Sequence, residues 1–100
     1  VKIAGVQLDA LERDLGLAIE SARAQARAAR EVLVAARARE ELAEVALQVG
    51  QLRLTAGLAS TLEVLLLQEQ LASARADRVA SELAEAVAVL EARRAAGLGW

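Results

Sequence analysis

The chain contains no proline, cysteine, histidine, methionine, phenylalanine or tyrosine, and its only aromatic residue is Trp100. Each absence excludes something. Without proline, nothing fixed in the backbone interrupts a helix interior. Without cysteine there is no disulfide and no thiolate metal site, and the redox compartment cannot be read. Without histidine or cysteine the common catalytic bases, nucleophiles and zinc ligands are missing. The aromatic shortage excludes a globular core anchored on large rings. No run of 18 apolar residues occurs, so no membrane-spanning helix is encoded in this sequence. No signal peptide is evident. The chain begins at Val1 rather than Met, as expected of a processed chain or a piece of a longer one.

What remains is helix-forming material. The 100 residues suffice for one small domain. Ala, with 25 copies, and Leu, with 18, dominate, and Arg and Glu supply most of the charge. All four favour helices. Hydrophobic residues make up 56% of the chain, but nearly half of these are Ala. Alanine contributes little burial energy and lets helix backbones approach closely. The composition therefore points to an Ala-rich, all-α coiled coil. The net charge of −2, with acids and bases interspersed, argues against a general polyanion binder.

Apolar residues step by three and four along the first part: Ala4, Leu8, Leu11, Leu15, Ala18, Ala22, then Ala26, Ala29, Leu33 and Ala36. This is the period of a helix with a buried stripe. Two stripes follow, one through Leu42, Val45, Val49 and Leu52, the other through Ala43, Leu47 and Leu54. Further on, Leu62, Leu65, Ala72, Ala76, Val79, Leu83, Ala86 and Leu90 form a stripe interrupted at Glu69, and Ala80, Ala84 and Val87 form a second. Two stripes on a helix imply two neighbours. Opposite charges at helical spacing, Asp9–Arg13, Arg27–Glu31, Arg37–Glu41 and Arg78–Glu82, mark solvated faces and contribute about 0.2–0.5 kcal/mol each.

The stripes break once, at "TAGLAS", residues 55–60. Gly57 takes positive φ without penalty and is a natural helix terminator. Ser60 is a good N-cap, and Glu63 three residues later completes the spacing of a capping box. Leu58 is placed to pack back on the new first turn. Termination and restart within a few residues define an αα-hairpin. The expected architecture is an all-α, long antiparallel helical hairpin, with a helix over about 3–54, a turn at 55–59 and a helix over about 60–95. At 1.5 Å per residue the helices are roughly 75 and 50 Å long, so the first 15 or so residues overhang and need another partner. Gly5, Gly16 and Gly50 each cost about 1 kcal/mol relative to Ala in a helix; close backbone packing and simple tolerance would each account for them. The run Val64, Leu65, Leu66, Leu67 covers more than one helix face, so part of it is expected to meet another subunit or partner.

The residues Arg53, Ala56, Gly57, Leu58, Ala59, Ser60, Leu62, Glu63, Val64, Leu65, Gln68 and Leu71 together resemble the periplasmic tip of TolC-like outer-membrane factors, the efflux channels of tripartite pumps. "ASARADRVASELAEAVAVL" resembles their last long helix. The ending "RRAAGLGW" resembles the Gly-rich, Trp-terminated segment of the drug-efflux branch. The likeness is good over residues 40–100 and rests on helical character and length over 1–39.

This resemblance implies that the chain is a single helical-hairpin segment of a larger channel protein. One helix descends from the outer-membrane barrel and the other rises again. In the family, three protomers, each with two such repeats, form a twelve-helix periplasmic tunnel that exports drugs or other small molecules. The implied partners are two more copies of the parent channel, a periplasmic adaptor docking at Ala56, Gly57, Leu58, Ala59 and Ser60, and, indirectly, an inner-membrane pump. The implied location is the outer membrane, with this segment periplasmic and the membrane contact made by a barrel absent from this chain. Ser60 and Glu63 cap the helix and lie near the tunnel constriction; Val64, Leu65 and Leu66 pack against neighbouring helices near the tip. The family's second acid, three residues after Glu63, is Leu66 here. Its aromatic residues before the tip and near the C-terminal end correspond to regions carrying Leu54 and Arg93.

Other functions have less to rest on. No catalytic, cofactor or metal-binding residues are expected, and the chain is not read as an enzyme. Arg23, Arg27, Arg30, Arg37 and Arg39 against Glu31 give a local charge of +4. No aromatic residue is interleaved for stacking and no nucleic-acid motif is present, so no nucleic-acid partner is expected. The competing reading is the coiled-coil hairpin of a periplasmic adaptor, whose tips carry Arg, Leu and Ser at wider spacing. A structural coiled-coil interaction module is a third. A lipid-surface helix is disfavoured because no basic polar face is present.

Overall fold

The computed structural model describes residues 2–97, with side chains from Gln7 onward. Two helices account for nearly all of it. Helix α1 runs Lys2–Thr55 and α2 runs Thr61–Ala95. They form an all-α antiparallel hairpin, as the stripes predict. The boundaries differ slightly from expectation: Thr55 belongs to α1 and Ser60 stands outside α2 as its cap. The end of the sequence, Leu98 to Trp100, lies outside the described residues, as does the side chain of Ala4.

The chain divides into two compact units, one made of residues up to 30 and from 84 onward, the other of Glu31–Leu83. In the Glu31–Leu83 unit, the seam on α1 runs through Leu33, Ala36, Glu40, Ala43, Leu47 and Gly50, with Glu44 and Ala46, and Glu82 on α2, half-buried at its flanks. On α2 the seam runs through Val64, Leu67, Leu71, Ala74, Arg78 and Ser81. Both sets alternate steps of three and four, the spacing of a coiled-coil seam. Leu33 and Ala36 are each 2% exposed, and Val64 and Leu71 each 6%. In the other unit, Ile19, Ala22, Ala26 and Ala29 on α1, and Glu85, Ala88, Ala92 and Ala95 on α2, are half-buried. No residue from Gln7 to Ala18 is screened, and Leu8, Leu11 and Leu15 all stand open. That is the uncovered stretch the unequal helix lengths predict.

This seam decides which stripe of each helix faces inward. Leu62, Leu65, Ala72, Ala76, Val79, Leu83, Ala86 and Leu90, the strongest apolar stripe of α2, are all exposed. So are Leu42, Val45, Val49 and Leu52 on α1. The hairpin closes instead on a seam that mixes Leu33, Leu47, Val64, Leu67 and Leu71 with the small residues Ala36, Ala43, Gly50 and Ala74, and the small ones let the two backbones approach.

Gly50 is where close approach is most acute. A Cβ built there would overlap Leu67 Cδ1 and lie 4.0 Å from Val64 Cγ2. Of the two explanations for this glycine, close packing is the one realised. Gly16 has open space around it. The surroundings of Gly5 lie outside the described side chains.

Candidate functional site: the tip and the outward faces

The tip is built from backbone bonds. Gly57 has φ of +76°, the left-handed region. Its N–H donates to the Leu54 carbonyl at 3.0 Å, and the Leu58 N–H donates to the Arg53 carbonyl at 2.7 Å. These nested bonds are a Schellman motif with Gly57 just past the helix end. The Arg53 guanidinium then reaches forward and donates to the Leu58 carbonyl at 3.1 Å. The Thr55 hydroxyl donates back to the Gln51 carbonyl at 3.0 Å. The carbonyls of Gln51, Arg53 and Leu54 at the end of α1 are thereby satisfied.

Helix α2 restarts on Ser60. Its Oγ accepts the Glu63 N–H at 3.2 Å, and its carbonyl accepts the Val64 N–H at 3.3 Å. The capping box is half formed: among the described residues Glu63 makes no return bond to the Ser60 N–H. Its carboxylate stays exposed in the first turn, where the helix dipole favours negative charge. The expectation that Leu58 packs back on the new helix is corrected. Leu58 is 68% exposed. Ala59, beside it, is the half-buried residue of the loop. Ala56, Gly57 and Ser60 are exposed with Leu58, so the tip presents a rigid backbone carrying one large apolar side chain.

The apolar run after the tip splits. Val64 is buried and Leu67 half-buried, while Leu65 and Leu66 are 54% and 51% exposed. Two of four leucine-type side chains therefore point out of the hairpin. Leu65 belongs to the outward stripe of α2 and Leu66 lies on the flank beside it; on the outer face of α1, Leu42 and Leu52 are 70% and 72% exposed. The outward stripe lies two residues from the inner seam on each helix, about 200° around it. The two outward stripes thus face away from each other, one on each side of the pair. Each helix therefore carries an exposed apolar face besides the seam.

Charges run along the flanks of the seam and tie the helices together. In the Glu31–Leu83 unit, Arg37 meets Glu82 at 3.7 Å, Arg39 meets Asp77 at 3.9 Å and Arg75 meets Glu44 at 3.5 Å. Arg78, at a seam position, is shared between Glu40 across the seam and Glu82 at 3.1 Å on its own helix. In the other unit Arg30 donates to Glu85 at 3.2 Å. Arg78–Glu82 is thus one of the pairs expected from spacing, whereas Arg37 turns to α2 instead of to Glu41. The bonds to Glu40 first, and to Glu82, hold the Arg78 pKa above its ordinary value, against a smaller opposing effect of desolvation. Stabilisation of that sign is fully present below the ordinary arginine value and is lost only as pH rises through the raised one. Arg78 therefore stays a cation in the hairpin at any physiological pH.

Beside this seam, Arg39, Leu42, Ala43, Ala46, Gln70, Ser73, Ala74 and Asp77 line a shallow open groove of about 460 Å³. It has a floor of small residues rather than a convergent set of polar groups. Among the described residues, no group of three or more acidic, histidine or cysteine side chains is placed to hold a metal. Nor is any described helix long and apolar enough to cross a membrane. No protein-family model, curated protein or solved structure matches the chain.

Two features escaped the sequence reading: the Glu40–Arg78 pair inside the seam and the outward direction of the leucine stripes. A signal for both was present. Ala22, Ala26, Ala29, Leu33, Ala36, Glu40, Ala43, Leu47 and Gly50 keep an unbroken 3–4 alternation, and small side chains predominate in it.

Proposed function

We propose that the chain is a hairpin of the periplasmic α-helical tunnel of a trimeric, TolC-like outer-membrane efflux channel, one segment of a larger protein that exports drugs or other small molecules. One observation carries this reading: each helix has a second apolar stripe, at seam spacing, on the side turned away from its partner. A hairpin working as a lone stalk needs only the inner seam. A helix in the wall of a tunnel has a neighbour on both sides, and both of its stripes are then covered. That favours the channel over an adaptor stalk or a free coiled coil.

In this reading the tip is the docking element for a periplasmic adaptor, which links the channel to an inner-membrane pump. The Schellman turn at Gly57 and the Arg53–Leu58 bond fix the loop, so Leu58 meets a partner already ordered and little conformational entropy is lost on docking. Glu63, exposed in the first turn of α2, would stand near the tunnel constriction in this reading as well as at the helix cap. Val64 belongs to the inner seam; Leu65 and Leu66 would contact the adjoining helices.

The test is export. In cells carrying the channel that contains this hairpin, Leu58→Glu should raise drug sensitivity and abolish crosslinks between the tip and the adaptor. The amount of channel in the outer membrane should not change, because Leu58 is not part of the hairpin core. Unchanged resistance together with unchanged crosslinking would refute the reading.

A further inference from the structure

The two outward faces of the Glu31–Leu83 unit fit each other. We infer that the partner of each is a second copy of this chain, with the α2 face of one copy packed antiparallel on the α1 face of the next and their tips level. In this register Leu62 meets Leu52, Leu65 meets Val49, Ala72 meets Leu42, Ala76 meets Ala38 and Val79 meets Ala35. All ten side chains are exposed in the single chain. Away from the tip, at least one residue of each pair is Ala, so the helices can approach closely, with Leu42 and Val79 each set against an Ala. Glu69, opposite Val45, is the one charged residue within this part of the seam.

Charge selects the register. Arg75 flanks the α2 stripe and Glu41 flanks the α1 stripe, and the level-tip arrangement sets them opposite each other. Glu41 is exposed and makes no ion pair among the described residues. Arg75 keeps over half of its side chain exposed while meeting Glu44. A slip of one heptad in one direction replaces this pair by Glu82 opposite Glu41, two like charges. A slip in the other direction leaves Arg75 opposite Val34.

The alternative self-contacts are poorer. Pairing α2 with α2, or α1 with α1, covers one stripe and leaves the other in water. The mixed contact covers both with a single kind of interface, and being head-to-tail it can repeat from copy to copy. The contact needs only the chain itself in solution. It therefore stands or falls separately from the channel reading.

The chain has no cysteine, so introduced ones report cleanly. Chains carrying Ala38→Cys and chains carrying Ala76→Cys, mixed and oxidised, should give mainly the 38–76 disulfide. Predominance of 38–38 or 76–76 products, or no crosslinking at concentrations where the chain associates, would overturn the arrangement. Glu41→Arg alone should weaken self-association roughly threefold to tenfold, and Arg75→Glu in the same chain should restore it. Circular dichroism on each variant confirms that the helices are kept. Failure of the second substitution to restore association, a strictly monomeric wild-type chain, or a chain that associates only with lipid vesicles or another protein would each overturn the inference.

Discussion

Gly57 offers a perturbation whose size is set by the backbone alone. At φ of +76° an L side chain costs roughly 1–2 kcal/mol, because Cβ crowds the following carbonyl. A Cβ added there meets nothing within 4 Å, so packing adds no further penalty. Gly57→Ala should therefore cost about 1 kcal/mol, and Gly57→Val, with its branched Cβ, about 2 kcal/mol. Asn tolerates the left-handed region and should cost less than either. For a chain of this size each kcal/mol lowers Tm by about 4–8 °C. Thermal unfolding followed by circular dichroism at a fixed, low concentration gives the ranking Gly, Asn, Ala, Val. Gly16→Ala is the control: its Cβ also meets open space and its backbone is helical, so it should stabilise by up to about 1 kcal/mol. A Gly57→Ala chain as stable as the wild type, or an Asn variant no better than Val, would refute the assignment of Gly57 as a conformational stop.

Two further outcomes follow from the packing. Gly50→Ala should stabilise less than Gly16→Ala because its new methyl overlaps Leu67 Cδ1, and Leu67→Ala should relieve the difference; a double-mutant cycle should give a coupling on the order of 1 kcal/mol, and no coupling would contradict the close approach. Leu33→Ala, at a side chain 2% exposed, should cost about 2–5 kcal/mol, whereas Leu83→Ala on the outward stripe should cost under about 1 kcal/mol at concentrations where the chain is monomeric; equal costs in denaturant titration would mean that the inner seam is misassigned.

The fold was legible because every local signal agreed. Absence of proline, abundance of helix formers and a single Gly–Ser break left only a hairpin. The stop and restart at the tip were legible for the same reason: Gly57 and Ser60 act through backbone geometry, which is encoded locally, whereas the exposure of Leu58 and the missing return bond of Glu63 were not. The direction of the stripes was not. A seam is chosen by how closely two backbones can approach as well as by how apolar it is, and ranking stripes by leucine content favours the side that faces outward. Alanine at 36 and glycine at 50 look unremarkable on a hydrophobicity scale, yet they are among the most screened positions of α1. Arg78 was read as a surface charge because its spacing to Glu82 explains it locally. Its bond to Glu40, 38 residues away, depends on the antiparallel register.

The pairing inferred between copies requires the outward stripes to be covered by helices of a second chain. Sedimentation equilibrium of the intact chain measures that directly, with a variant carrying Leu42→Gln, Leu65→Gln and Leu83→Gln beside it. These three side chains are more than half exposed in the hairpin. The wild-type chain should self-associate at tens of micromolar, and the variant should be monomeric with its helix content unchanged. A wild-type monomer, or a variant that loses its helices, would contradict the assignment of these faces to neighbours.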